Sequence, residues 1–130
     1  TNSVNTVSAA LQLQVGVSNT IKKARKMGIT SDIPEVPSIV LGTAPLSLME
    51  MVTAYASISN GGRLVKPYMI QKITDQIGTV LFQATPKYKG NVASAKNINK
   101  LQQMMGDVLT NGTGAGFSNY GIPYNLSLIP

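Results

Sequence analysis

Residues 41–62 read LGTAPLSLMEMVTAYASISNGG, the longest run in the chain where a helix start, an apolar period and a helix stop agree. Ser47 followed by Glu50 forms a capping box, in which the serine hydroxyl accepts from the Glu50 amide and the glutamate carboxylate accepts from the Ser47 amide. Leu46 and Met51 occupy the two staple positions. Beyond the cap, Leu48, Met51, Val52, Tyr55 and Ile58 keep the three-and-four spacing of one helical face, while Ala54, Ala56, Ser57 and Ser59 keep the rest slim. Asn60, Gly61 and Gly62 end the helix, since glycine takes left-handed backbone at no steric cost. Burying five apolar side chains at roughly 1.5–3 kcal/mol each gives on the order of 10 kcal/mol, an upper figure because unfolded chains are already partly compact. The expectation is a buried core helix whose single charge, Glu50, is used at its start.

Upstream, Val7, Ala10, Leu11 and Val15 share the face of a helix that Gly16 ends. A second helix follows at once, with Ser18 as its expected cap, Ile21, Ala24 and Met27 as its buried stripe and Gly28 as its stop. Pro34 and Pro37 forbid a continuous helix in the next stretch and bias Ile33 and Val36 toward extended backbone, so a structured loop is expected there. Downstream, residues 68–74 and 79–83 are rich in β-branched, aromatic and long apolar side chains around Asp75, Gln76, Ile77 and Gly78. This pattern predicts a hairpin, with Gly78 at a left-handed turn position and Pro67 opening an edge strand. Residues 85–93 hold Pro86, Gly90 and two lysines and read as a surface connection. A last helix is predicted over 95–111, capped by Ser94, with Ile98, Leu101, Met105, Val108 and Leu109 on one face and Gly112 as stop; Gly106 inside it costs up to about 1 kcal/mol relative to alanine. The remaining residues are glycine-rich, then turn apolar at Leu126, Leu128 and Ile129, where the start of a strand is expected.

At 130 residues the chain is one domain's worth or a piece of a larger domain. With neither cysteine nor histidine, a disulfide framework, a thiol nucleophile and a Ser-His-Asp triad are all excluded. Five acidic residues leave little for a metal site, so no metal and no cofactor is expected. The net charge of +6 could point to an anionic partner, yet four of the eleven basic residues are the cluster Lys22, Lys23, Arg25 and Lys26. That cluster falls in the last turns of the second helix, where it complements the helix dipole as a solvated end. No aromatic residue interleaves with it, so the stacking platform of a single-strand binder is missing and no nucleic-acid partner is expected. No apolar run approaches a membrane span, and no signal-peptide pattern opens the chain. Gly112, Thr113, Gly114, Ala115 and Gly116 look like a phosphate-cradling loop, but Phe117 stands where a third glycine belongs and no helix start follows. Ser3, Val4 and Asn5 form the only Ser-x-Asn in the chain; on spacing alone, such residues ahead of a helix are caps.

In combination these pieces carry more. Ser3 to Asn5 before an apolar helix, VGVSNTIKKARKMGI over 15–29, the LGT segment, Lys66 with Pro67, ITDQIGTVLF and the closing NGTGAGF resemble the transpeptidase domain of the penicillin-binding proteins. The order and spacing match across nearly the whole chain, and the LGT opening looks more like the bifunctional class A branch than class B. The resemblance implies an α+β piece of the fold shared by penicillin-binding proteins and serine β-lactamases, mostly helical with a small hairpin. Residues 1–130 would run from the Ser-x-Asn motif to just before the Lys-Thr-Gly strand. It also implies a D,D-transpeptidase that cross-links peptidoglycan stem peptides ending in D-Ala-D-Ala through a serine acyl-enzyme, is acylated by β-lactams, and works in the cell envelope outside the cytoplasmic membrane, with a membrane-anchored parent. By the family pattern Ser3 would relay a proton as the catalytic residue of this segment, and Asn5 would bind the catalytic lysine and the substrate's peptide backbone.

Two family motifs are missing. No serine has a lysine three residues later, and no lysine is followed by Thr-Gly or Ser-Gly. The chain is therefore expected to be an enzyme fragment, inactive by itself, with the faces meant for the missing sheet and nucleophile helix packed against another chain or the missing part of its domain, or else poorly ordered. A serine β-lactamase or β-lactam sensor shares the fold, but the insertion with the hairpin and the LGT segment favour a transpeptidase. A non-catalytic basic binding module rests on net charge alone.

Overall fold

The computed structural model describes residues 4–120, the side chains of 117–119 excepted. Helix α1 (Asn5–Val15) turns at Gly16 into α2 (Val17–Lys26). Residues 27–47 follow as a loop carrying one 3₁₀ turn, Pro37–Leu41, that starts where Pro37 sets its first φ. Helix α3 (Leu48–Ser59) leads into strand β1 (Arg63–Lys66). Then come β2 (Lys72–Thr74), β3 (Val80–Gln83), β4 (Lys87–Asn91) and helix α4 (Ala95–Thr110). A second 3₁₀ turn spans Ala115–Tyr120. The mixed helix-and-small-strand architecture is the α+β arrangement expected.

The predicted hairpin forms as the antiparallel pair β2–β3, with a bulge between Ile73 and Thr74. Its turn is built by Asp75, whose carboxylate accepts from the amides of Ile77 (3.0 Å) and Thr79 (2.8 Å), and by Gly78 at φ 89°. Residues 85–93, expected as a plain connection, instead contain β4. It pairs antiparallel with β1 in the register Arg63–Asn91, Leu64–Gly90, Val65–Tyr88 and Lys66–Lys87. Pro67 correspondingly ends β1 rather than opening a strand. Short strands of mixed lysine, tyrosine and glycine carry no period-2 signal; the pairing is supplied by the partner strand, and Arg63 over the Tyr88 ring, 4.7 Å from its centre, adds a cation–π contact across it.

The buried apolar residues among those described are Ile29, Ile58, Leu64, Val92 and Ile98. They come from the loop after α2, the end of α3, β1, the residue after β4, and α4, so the core lies where α3 runs out. Gly62 makes this junction possible. Its amide donates to Ser57 O (2.8 Å) and its carbonyl accepts from Val92 N (2.7 Å), while a Cβ there would stand 2.7 Å from Ala93 O and 3.0 Å from Ile98 Cγ1. Lys23 Nζ donates to Val92 O (3.0 Å) and Gln102 Nε2 to Ile58 O (3.0 Å), tying α2 and α4 to the same centre.

The capping box of α3 is present in both directions and Ser94 caps α4, as expected. Two expectations fail. Ser18 does not cap α2, whose N-cap is Gly16. And the apolar face of α3 is not buried among the described residues: Leu48 is 80% exposed, Met51 38%, Val52 55% and Tyr55 53%, with only Ile58 covered. The packed side is the slim one, where Ser57 is fully buried with its hydroxyl donating to Ala54 O (2.6 Å). A small residue lets β1 approach the helix closely, and the internal hydrogen bond removes the cost of burying the hydroxyl. On α1 likewise Val7, Leu11 and Val15 are exposed and Gln12 is the buried residue.

Candidate functional site

Asn5 is the first residue of α1, and it is exposed. The helix cap is Val4, which has no side-chain acceptor, so the simple capping role that spacing assigns to Asn5 is not the one it has. Ser3 lies outside the described residues. What the structure does show is how α1 is held. The helix packs on α2 and on the 3₁₀ turn at Pro37–Leu41. Thr20 Oγ1 donates to Gln12 Oε1 (3.0 Å) from α2 and also lies 3.3 Å from Gly16 O. Gln12 Nε2 is buried with no partner. Turning the amide over would let Thr20 donate to Gly16 and accept from Gln12, leaving a bare oxygen in place of a bare NH₂ group.

The loop beneath α1 is closed by one residue. Glu50 Oε1 accepts from Thr30 N (2.7 Å), Thr30 Oγ1 (2.8 Å) and Ser31 N (2.7 Å), and Oε2 accepts from Ser31 Oγ (2.6 Å), Ser47 N (2.9 Å) and Ser47 Oγ (2.8 Å). Both ends of the stretch that carries the 3₁₀ turn are thus pinned to one carboxylate. At the first of these ends the Arg25 guanidinium donates to the carbonyls of Ile29 and Ser31. Anion on the amides and cation on the carbonyls is the complementary arrangement for an irregular segment that has no ladder of its own. The Ser31 hydroxyl, then the amides of Ser47, Ser31 and Thr30, hold the Glu50 carboxyl far below the usual carboxylate range against the opposing effect of burial. Through the loop Glu50 supports the turn on which α1 rests. From the sequence it was legible only as a cap. The contacts to Thr30 and Ser31 span about twenty positions, and the sole local hint is a lone charge in an otherwise apolar helix. Arg25 and Lys23, read as a solvated helix end, are also used structurally.

The glycine loop after α4 does not cradle a phosphate. Gly114 N donates to Val108 O (3.0 Å) and Ala115 N to Gly112 O (3.1 Å), so these amides are turned inward to end the helix. A Cβ on Gly114 would meet Leu109 Cδ2 at 2.9 Å, which is why a residue without one stands there. Among the described residues no grouping of three or more acidic side chains could hold a metal ion, and no helix is long and apolar enough to cross a membrane.

The likeness to known proteins covers the chain almost end to end. The family model described as the penicillin binding protein transpeptidase domain matches residues 1–125. Penicillin-binding protein 2D of Bacillus subtilis is 37% identical over 85 residues, 65% of this chain and 12% of that protein. Penicillin-binding protein 1A of Neisseria lactamica is 32% identical over 126 residues, 93% of this chain and 16% of that protein. In fold, the crystal structure of penicillin-binding protein 1A from Haemophilus influenzae superposes with a TM-score of 0.78 at 23% identity, covering 87% of this chain and 21% of that one. The chain therefore spans only about an eighth of the length of the first of these relatives. With a family match over 1–125 and relatives of the 1A and 2D types, the chain belongs to the penicillin-binding protein transpeptidase domain family.

Proposed function

We propose that this chain is the segment of a peptidoglycan D,D-transpeptidase that carries the Ser-x-Asn motif, within a longer protein whose remaining residues supply the nucleophilic serine, its lysine and the Lys-Thr-Gly strand. The whole enzyme joins stem peptides through a serine acyl-enzyme after release of the terminal D-alanine, and β-lactams acylate the same serine. Its place is the outer side of the cytoplasmic membrane. The observation that carries this reading is the family match over 1–125, a stretch whose sequence includes Ser3 and Asn5, with Asn5 as the first residue of α1. The uncovered apolar faces of α3 and α1 support the second half of it, because a transpeptidase domain has further elements to lay against them.

In this role the Ser3 hydroxyl passes a proton between the catalytic lysine and the leaving amine, since a hydroxyl can donate and accept at once. Asn5 divides its amide: the carbonyl oxygen accepts from the lysine ammonium and the NH₂ group donates to the substrate's backbone carbonyl. Proton transfer of this kind contributes about 10² to 10⁴ in rate, or roughly 3 to 5 kcal/mol of barrier. Without the nucleophile the 130 residues alone form no acyl-enzyme.

A fluorescent penicillin tests the proposal. The longer protein forms a covalent adduct and this chain forms none; a labelled chain overturns the division of the site. Ser3→Ala in the longer protein slows acylation by about 10² or more, and an unchanged rate removes the role given to that hydroxyl.

A further inference from the structure

The two β-ribbons meet at a concave elbow. The chain passes from β1 to β2 through Pro67 and Tyr68 and returns from β3 to β4 through Ala84 and Thr85, and a cleft of about 260 Å³ opens between these crossings. Three features of it are unbalanced. Lys66 and Lys87, both in the cleft wall, stand directly opposite one another in the antiparallel register, so two ammonium groups share one face in a pairing that destabilises a ladder. Tyr68 and Phe82, also in the wall, are 48% and 46% exposed. The one acidic residue between 63 and 91 is Asp75, whose carboxylate is engaged in the turn at the far end of the β2–β3 ribbon. That ribbon is exposed at every strand position on both faces, a state that two strands alone hold only marginally.

We propose that this elbow is a docking site for an extended acidic segment of a partner protein, which seats an apolar side chain between Tyr68 and Phe82 and sets a carboxylate between Lys66 and Lys87. An anion there turns a repulsive cross-strand pair into two charge-assisted contacts. Among the described residues β2 and β3 are each paired on one side only, and their other edges offer backbone groups to an extended peptide. A flat anionic membrane fits less well, because the lysines lie in a concavity and the exposed tip that would enter first carries Asp75.

The probe is a fluorescein-labelled peptide of alternating glutamate and leucine, titrated with the longer protein that contains this chain and followed by anisotropy. Saturable binding that weakens several-fold between about 20 and about 200 mM salt is expected. Lys66→Glu with Lys87→Glu should weaken it by about tenfold or more, whereas Lys22→Glu with Lys26→Glu, the same charge change on α2, should alter it less than about twofold. Lys66→Gln with Lys87→Gln relieves the repulsion, so it should weaken binding while thermal stability holds or rises, which damage to the fold would not do. Absent binding, equal binding of a lysine–leucine peptide, or an equal effect of the two charge reversals overturns the proposal. Capture by anionic phospholipid vesicles with no peptide binding replaces the protein partner by a membrane and overturns it as well.

Discussion

Replacing Gly62 by alanine probes the junction on which the core depends, and its neighbour supplies the control. Gly61 and Gly62 both have positive φ, 65° and 90°, so alanine at either carries the left-handed penalty of about 1–2 kcal/mol. They differ in space. A Cβ on Gly61 meets nothing within 4 Å, whereas one on Gly62 would lie 2.7 Å from the Ala93 carbonyl oxygen and 3.0 Å from Ile98 Cγ1. The first of these is backbone and cannot swing away. Relieving the overlap means moving the strand end or the start of α4, an overpacking cost of about 1–3 kcal/mol. Gly62→Ala should therefore be destabilised by about 2–5 kcal/mol and Gly61→Ala by about 1–2 kcal/mol. Against a small domain's whole stability of roughly 5–15 kcal/mol, the first is a large loss. Urea unfolding followed by circular dichroism measures both, with the slope checked for constancy so that the midpoints report stability. Equal losses at the two positions would refute the claim that α3, β1 and α4 meet at van der Waals contact around Gly62.

Glu50 sets an acid limit. Its carboxyl titrates far below its ordinary value of 4.5 when folded, so the stability it contributes is fully present above that value and is lost as the pH falls below it. Unfolding midpoints measured between pH 7 and pH 3 should drop on the acid side, and Glu50→Gln should lower the neutral midpoint while flattening that drop; a parallel curve would show that other groups govern it. Gln12→Met removes a buried NH₂ group without a partner at nearly constant shape, leaving Thr20 its bond to Gly16. Stability should be unchanged or higher by up to about 1 kcal/mol, and a loss beyond that would mean the amide is satisfied in solution.

The helices were legible because their signals are local. Ser47 with Glu50, the paired glycines after Asn60, and Ser94 ahead of α4 act within a turn of themselves, and each sits where the spacing put it. The β2–β3 hairpin was legible for the same reason, its turn being built from four consecutive residues. β4 was not, because its five residues acquire extended structure from pairing with β1 some twenty positions earlier. Of the candidate site, the Ser-x-Asn motif was legible as a pattern in order with the other motifs, and what the structure adds is that Asn5 is the exposed first residue of α1.

The sequence by itself determined where α3 and α4 start and stop and which family the pieces compose, since capping, turn chemistry and motif order are written over a few consecutive residues. Tertiary structure alone decided which side of α3 is packed. Periodicity marks an apolar face but not the neighbour that covers it, and here the close approach of β1 selected the slim side with Ser57, covering only Ile58 of the apolar face and leaving Leu48, Val52 and Tyr55 outward. It also made Glu50 more than a cap, because six donors from three residues in two separate segments, 30–31 and 47, converge on one carboxylate only after the chain has folded back on itself.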